Sequence, residues 1–313
     1  MGKIAFVFPG QGSQQVGMGR ELADSYHSVR DIFSAADEKL PFSLSQMIFE
    51  GPIETLTKTE NAQPAILTTS VAFLQLLKAE GITPDYVAGH SLGEYSALVA
   101  ANVLPFDDAV EVVHKRGSLM NEAVPAGKGS MSAILGLDRA TLSAITEKVT
   151  AEGDSVQLAN LNCPGQIVIS GTKEGVEKAA TAAKESGAKK VIPLVVSGPF
   201  HSQLMKPAAD QFETVLDRAD FQPASVPVIS NVTALPVTNE EEIQSLLLKQ
   251  LYSPVLWEDI IEELLSLGVT TFVEVGPGKV LSGLIKKVNR RVMTLQVNDE
   301  ASLQKTLQTL KEN

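Results

Sequence analysis

Asp85-Tyr-Val-Ala-Gly-His-Ser-Leu-Gly-Glu-Tyr-Ser-Ala-Leu-Val-Ala-Ala101 passes from a short apolar run through a tight turn carrying one serine into an alanine-rich helical run. Within it, Gly89-His90-Ser91-Leu92-Gly93 fits G-x-S-x-G, in which a sharp strand-to-helix turn lifts a serine hydroxyl clear of a sheet. The glycines have separate physical tasks: one permits the crowded turn, and the other lets the new helix pack closely on its strand. The same turn sets the backbone N–H of Leu92 at a helix N-terminus, where it can face an oxyanion. At average glycine usage the bare pattern arises by chance on the order of 0.1 times in a chain of this length, so its setting decides. Val87 and Ala88 before it and the amphipathic run after it supply the strand and helix that a nucleophilic Ser91 needs.

With 313 residues, 44% of them hydrophobic, the chain can bury a core large enough for one large domain, alone or with a smaller one. Its apolar runs are interrupted well short of a membrane span, and Met1-Gly-Lys3 leads directly into a strand rather than a signal peptide. The expected location is the cytoplasm, with no membrane partner. The single cysteine, Cys163, excludes an intramolecular disulfide, and His27, His90, His114 and His201 offer no metal-ligand spacing. No metal and no permanently bound cofactor are expected. A net charge of -11 opposes broad binding to nucleic acid, so an acidic partner would have to meet a local basic patch.

Upstream of the elbow, Lys3–Phe8 reads as a buried strand followed by the glycine-rich turn Pro9-Gly-Gln-Gly-Ser-Gln14. A dinucleotide fingerprint fails there, because Gln15 stands at the third glycine position, and no phosphate-loop pattern occurs in the chain. Two uses of the turn stay open: a plain tight turn, or a presentation of backbone N–H groups, that of Gln11 in particular, toward an anion at the strand ends. Residues 62–80 carry apolar side chains at helical spacing, and a further helix is expected from Phe106 to about Ala123. That second helix carries Arg116 near the edge of an apolar face set by Val112, Val113 and Leu119, where an arginine is usually a solvated surface residue.

From Gly129 to Leu194 the units shorten. Strands at 130–137, 156–161, 166–171 and 190–195 alternate with helices at 139–150 and 173–186, which is the β-α-β-β-α-β order of a ferredoxin-like unit. Glycine- and proline-bearing stretches, Pro125-Ala-Gly-Lys-Gly129 and Ser197-Gly-Pro199, bound it. A hairpin turn is expected at Asn162-Cys-Pro-Gly165. Beyond it, Ser197-Gly-Pro-Phe-His-Ser202 opens the next helix and makes His201 the best base candidate: His90 adjoins the serine in a turn where neighbours point apart, and His27 and His114 sit in helical patterns. Strands near 227–230 and 271–275 and helices at 257–267 and 279–288 complete an α/β pattern. The expected architecture is a parallel-sheet, α/β-hydrolase-like large domain made of residues 1–127 and 197–313, with the ferredoxin-like small domain, 128–196, inserted into it.

Pro9-Gly-Gln-Gly-Ser13, Gly89-His-Ser-Leu-Gly93, Lys115-Arg-Gly117, Asn162-Cys-Pro-Gly-Gln166, Pro199-Phe-His201, Gln250-Leu-Tyr-Ser-Pro-Val255 and Glu274-Val-Gly-Pro-Gly278 occur in this order along essentially the whole chain. In that order they resemble the malonyl-CoA:acyl carrier protein transacylases of bacterial fatty acid synthesis. The resemblance implies that Ser91 accepts malonyl from coenzyme A as an ester and that His201 is its base, in a dyad without an acidic third member. The backbone carbonyl at Gln250 would orient the imidazole, and the N–H groups of Gln11 and Leu92 would form the oxyanion hole. Arg116 would hold the free malonyl carboxylate in a bidentate pair, which replaces the surface reading above. Asn162 would lie at the cleft edge. Phe200 and Leu92 resemble the malonyl-selective pattern of related polyketide acyltransferase domains, although one methyl branch is worth only about 1–3 kcal/mol in such a pocket.

The partners so implied are malonyl-CoA, as substrate, and an acidic acyl carrier protein. The densest cationic cluster, formed by Lys286, Lys287, Arg290 and Arg291, is the candidate docking patch, although cations at a helix end also complement the helix dipole without any partner. Two other functions use parts of the same pattern: a serine esterase or thioesterase that delivers the acyl group to water, and a non-catalytic pantetheine-binding scaffold. Arg116 argues against the first, since a plain esterase has no need of a buried cation, and intact Ser91, His201 and Gln11 argue against the second.

Overall fold

Strands in chain order are β1 (Lys3–Phe8), β2 (Tyr86–Gly89), β3 (Gly129–Leu135), β4 (Val156–Cys163), β5 (Gln166–Thr172), β6 (Lys190–Pro193), β7 (Val228–Ile229), β8 (Pro236–Val237), β9 (Val269–Val275) and β10 (Met293–Val297). They come from a computed structural model that describes residues 2–312; Met1 and Asn313, the outer ends of the expected large domain, lie outside the described residues. One sheet has six strands in the order β10-β9-β1-β2-β7-β8 and the other has four, in the order β4-β5-β3-β6. Neighbours in the first sheet run parallel except for β7 and β8. In the second every pairing is antiparallel.

Parallel strands covered by helices on both faces are apolar on both faces, and β1 shows why. Its side chains alternate: Phe6 and Phe8 pack with Val87, Val273 and Val275 on one side, whereas Ala5 and Val7 pack with Ala88, Ile229 and Phe272 on the other. The helix Thr59–Ala79 is buried along most of its length on the first face, with the helix Gly93–Ala100 buried throughout beside it. Helices buried on nearly every side belong inside a core; the first brings Thr59 and Glu60 to the lining of the cleft described below, and the second follows directly on Ser91.

The four-stranded sheet divides its side chains in the same way. Ile167 and Ile169 on β5 meet the helices Arg139–Ala151 and Lys173–Glu185 in a separate core, while Val168, between them, and Met131 on β3 join the core of the six-stranded sheet. A backbone bridge ties the two units: Leu161 N–H donates to Val255 O at 2.9 Å, and Val255 N–H donates to Ala159 O at 2.8 Å. Pairing with β5 carries β4 through Cys163, which stands opposite Gln166, so Asn162 lies in the strand and not in the expected four-residue turn. Elements that the sequence pattern did not bring out include the helix Leu44–Glu50, the edge strand β10 and the helix Glu300–Glu312, whereas the helix His27–Lys39 holds the helical pattern expected around His27. Among the described residues no helix is long and apolar enough to cross a membrane.

Candidate active site

Ser91 sits between the end of β2 and the helix Gly93–Ala100 with φ at 52°, in the left-handed region. For a residue with a Cβ this costs on the order of 1–3 kcal/mol and persists only where the surroundings over-determine it. They do so here through three hydrogen bonds. Ser91 N–H donates to Asn231 Oδ1 at 2.7 Å, Asn231 Nδ2 donates to Gly89 O at 2.7 Å, and Gln250 Nε2 donates to Ser91 O at 3.1 Å. Glycine is required at 93, because a Cβ there would stand 2.1 Å from Phe8 O and push the helix off β1.

The side-chain oxygen of Ser91 lies 2.8 Å from His201 Nε2, and His201 Nδ1 lies 2.8 Å from the backbone oxygen of Gln250. A carbonyl can only accept, so Nδ1 carries the proton and Nε2 is the free base that accepts the Ser91 hydroxyl. His201 is also in the left-handed region, with φ at 58°. Its backbone is clamped: its N–H donates to Leu251 O at 3.1 Å, and its carbonyl accepts from Gln157 Nε2 at 3.1 Å. Burial, followed by the cation of Arg116, pushes the imidazole down to about 3.

The ordinary imidazole value near 6.5 is therefore not the pH at which this base is expected to be lost. A histidine is neutral above its pKa, so His201 is expected to remain an unprotonated base through mildly acidic conditions. Histidine-labelled NMR, assigned with His201→Gln, should show no His201 titration between pH 5 and 8. Arg116→Ala should raise its midpoint; a wild-type midpoint near 6.5 would contradict the account.

Arg116 is 1% exposed, so the apolar-face edge suggested by its helical spacing is a buried position in the folded chain. Gly117 is the reason that helix Phe106–Glu122 can approach helix Thr59–Ala79 so closely, since a Cβ at 117 would stand 2.7 Å from the Cα of Glu60. From there Arg116 Nη1 donates to Gln63 Oε1 at 2.8 Å, and Nη2 donates to Gln250 Oε1 at 2.8 Å and to Ser91 Oγ at 3.2 Å. Its Cζ lies 5.3 Å from the centre of the Tyr95 ring. Every one of these partners is neutral, and among the described residues no carboxylate is in ion-pair contact with Arg116. Its Nε–H has no acceptor.

A cleft of about 870 Å³ opens above these groups and is lined, among others, by Gln11, His90, Ser91, Arg116, Phe200 and His201. Among the described residues the backbone N–H groups of Gln11 and Leu92 have no acceptor within the protein. The side chain of Leu92 is buried in the core beneath, so of the two selectivity candidates only Phe200 faces the cleft. Asn162 is nearly buried, and its Oδ1 lies 2.8 Å from His90 Nε2. His90 thus lines the cleft but is paired with Asn162 and does not touch the serine hydroxyl. His114 is structural, with Nδ1 2.9 Å from Glu60 O. The cationic cluster lies apart, at the far end of the helix Val280–Val288.

Several members of the network carried no sequence signal: Gln63, Glu94, Gln157, Asn231 and the side chain of Gln250. Glu94 was the most visible in principle, as a carboxylate inside a run of alanines and valines directly behind the elbow.

The family model described as the acyl transferase domain matches residues 5–310. A malonyl CoA-acyl carrier protein transacylase of Bacillus subtilis (strain 168) is 61% identical over 312 residues, covering 100% of this chain and 98% of that protein. The chain belongs to the malonyl CoA-acyl carrier protein transacylase family. The family member of Staphylococcus aureus (strain N315) is 47% identical over 93% of this chain and 94% of its own. Among solved structures, an acyl carrier protein S-malonyltransferase from Vibrio cholerae O1 biovar eltor superimposes with a TM-score of 0.95 at 45% identity, covering 97% of this chain and 99% of that one. A malonyl-transacylase solved in complex with a type II polyketide synthase acyl-carrier protein gives a TM-score of 0.95 at 44% identity, over 98% and 99% of the two chains. The mixed α/β fold with its parallel sheet is that of these family members.

Proposed function

We propose that the protein moves malonyl from malonyl-CoA to the phosphopantetheine thiol of an acyl carrier protein, for fatty acid biosynthesis in the cytoplasm, by a ping-pong scheme through a malonyl ester on Ser91. The observation that carries the choice of acyl group is Arg116: a buried guanidinium 3.2 Å from the serine oxygen whose bonded partners are all neutral. A buried charge is costly unless paired, and the carboxylate of a malonyl group would supply the directly bonded partner that the described residues do not. In the first half-reaction Ser91 Oγ gives its proton to His201 Nε2 and attacks the thioester carbonyl, whose oxygen becomes an oxyanion facing the N–H groups of Gln11 and Leu92. Collapse breaks the carbon–sulfur bond, and His201 returns the proton to the departing coenzyme A thiol. In the second, the carrier thiol gives its proton to His201 and attacks the ester, and Ser91 leaves with that proton.

The same proposal treats residues 1–127 and 197–313 as an α/β-hydrolase-like large domain and 128–196 as a ferredoxin-like small domain. The strand order β6-β3-β5-β4, with two helices on one face, supports the second. Asn162 would hold His90 at the cleft edge, and Phe200 would crowd a methyl branch. No metal, permanently bound cofactor, nucleic acid or membrane enters the scheme. The test is to incubate the protein with malonyl-CoA, to find the malonylated Ser91 peptide by mass spectrometry, and to compare its discharge by carrier protein with its discharge by water. Discharge to water at the same rate would favour the thioesterase alternative.

An acidic carrier would dock on the basic cluster. Lys286 is committed elsewhere, because its Nζ donates to the carbonyls of Arg290 and Val292 and closes the helix end. Lys287 reaches Gln166 Oε1 at 2.9 Å, across to the hairpin of the four-stranded sheet, and Arg290 and Arg291 are exposed. Reversing the charges of Lys287, Arg290 and Arg291 to glutamate, with Lys286 kept, is expected to raise the KM for carrier protein severalfold at low salt and to leave acylation by malonyl-CoA little changed. An unchanged carrier KM, or an equal loss in both half-reactions, would count against docking there.

A further inference from the structure

Glu94 is a carboxylate that the mechanism does not use, and it lies at the centre of the network behind the nucleophile. It is 3% exposed, in the helix that follows the elbow. Its Oε2 accepts from Gln250 Nε2 at 2.6 Å, and both its oxygens lie near Asn231 N–H, at 3.4 and 3.3 Å. Gln250 in turn places Oε1 on Arg116 Nη2 at 2.8 Å. A glutamine amide has one accepting and one donating end. With Glu94 as the acceptor on one side, the donating end must face it, and the accepting end must face the guanidinium.

We propose that Glu94 is a positioning residue for acyl selectivity: a resident carboxylate that acts on Arg116 through the Gln250 amide, fixing the aim of the guanidinium while leaving it unoccupied by a carboxylate of the protein. The physical logic is one of spacing. A carboxylate bound directly to Arg116 would compete with the carboxylate of an incoming dicarboxylic acyl group, whereas a buried cation with no counter-charge nearby would be costly to fold. One neutral amide between them meets both demands. Burial is the largest influence on Glu94 and raises its carboxyl to about 7, while the Gln250 amide, the Asn231 N–H and the cation of Arg116 all act the other way. Tyr95, on the same helix, and Arg116, on the helix Phe106–Glu122, are the titratable groups whose charges couple to it. Glu94 touches neither Ser91 Oγ nor the cleft; the groups it bonds, the Gln250 amide and Asn231, also hold the Ser91 backbone, and a change in the malonyl-to-acetyl ratio is what singles out the route through Arg116.

This inference rests on the reading of Arg116 as the acyl-carboxylate ligand, and a double-mutant cycle separates the two. Acylation kcat/KM is measured with malonyl-CoA and with acetyl-CoA for the wild type, Glu94→Gln, Arg116→Ala and the double variant. Glu94→Gln keeps the shape and removes the charge; the malonyl-to-acetyl ratio is expected to fall roughly tenfold to a hundredfold, the scale of a hydrogen bond to a charged group. In the double variant the ratio should equal that of Arg116→Ala alone, because two residues acting through one link do not add. Equal losses for both acyl groups in Glu94→Gln, or effects that multiply in the double variant while Arg116→Ala collapses the ratio, overturn this inference alone. An Arg116→Ala ratio equal to wild type overturns the reading of Arg116 and this inference with it. Should Glu94→Gln not fold, Gln250→Glu places a carboxylate directly on the guanidinium. The ratio is then expected to fall in the same way, and an unchanged ratio overturns the proposal.

Discussion

Ser91→Ala is expected to abolish the acyl-enzyme: no malonyl label should survive on any peptide after incubation with malonyl-CoA, and transfer to carrier protein should drop to background. The expectation follows from the absence of a substitute. Ser91 Oγ is the hydroxyl held at 2.8 Å from the free nitrogen of His201, with the Arg116 cation at 3.2 Å to stabilise it as it loses its proton. His201→Ala should behave differently, slowing both half-reactions while leaving the serine to be labelled slowly, since the oxyanion donors and Arg116 remain. A labelled Ser91→Ala protein would remove the nucleophile assignment altogether.

Arg116→Ala should remove most malonyl transfer and keep or increase acetyl transfer. Truncation deletes the charge-assisted bonds that only a carboxyl-bearing acyl group can accept, each worth about 1.5–3 kcal/mol, so the loss for malonyl-CoA should be on the order of tenfold to two-hundredfold or more. It also leaves Gln63 Oε1 and Gln250 Oε1 without their donor. Melting should therefore be measured beside activity. If malonyl and acetyl transfer fall equally, Arg116 is a structural arginine and the substrate reading loses its main support.

The parts of this site that were legible in the sequence are those encoded locally. The elbow is a five-residue pattern whose glycines answer to contacts inside one turn, and His201 follows a proline-bearing loop at the mouth of a helix. Arg116 was misplaced by its own helical spacing, because the face that looks peripheral from Val112, Val113 and Leu119 is covered by the helix Thr59–Ala79, through a close approach that only Gly117 allows. Glu94 and Gln250 are 156 residues apart in the chain, and Asn231 and Ser91 are 140 apart. A glutamate in a helix ordinarily faces water, and the apolar run around Glu94 is the one local sign that tertiary packing has closed over it. The strand β10 was missed although Met293-Thr-Leu-Gln-Val297 alternates apolar and polar residues as a half-buried strand should; it is five residues long and pairs with β9 at the sheet edge.

The backbone bridge between Leu161 and Val255 joins two bodies that hold different parts of the site. Ser91, His201, Arg116 and Gln250 all hang from the body built on the six-stranded sheet, while the four-stranded sheet brings Met131 and Asn160 to the cleft lining and Asn162 to His90. The groups that react and the guanidinium beside them are thereby carried on one body, and part of the cleft wall on the other. Change on the four-stranded sheet can redraw the part of the wall that Met131 and Asn160 form without retuning the oxygen, nitrogen and guanidinium held behind it.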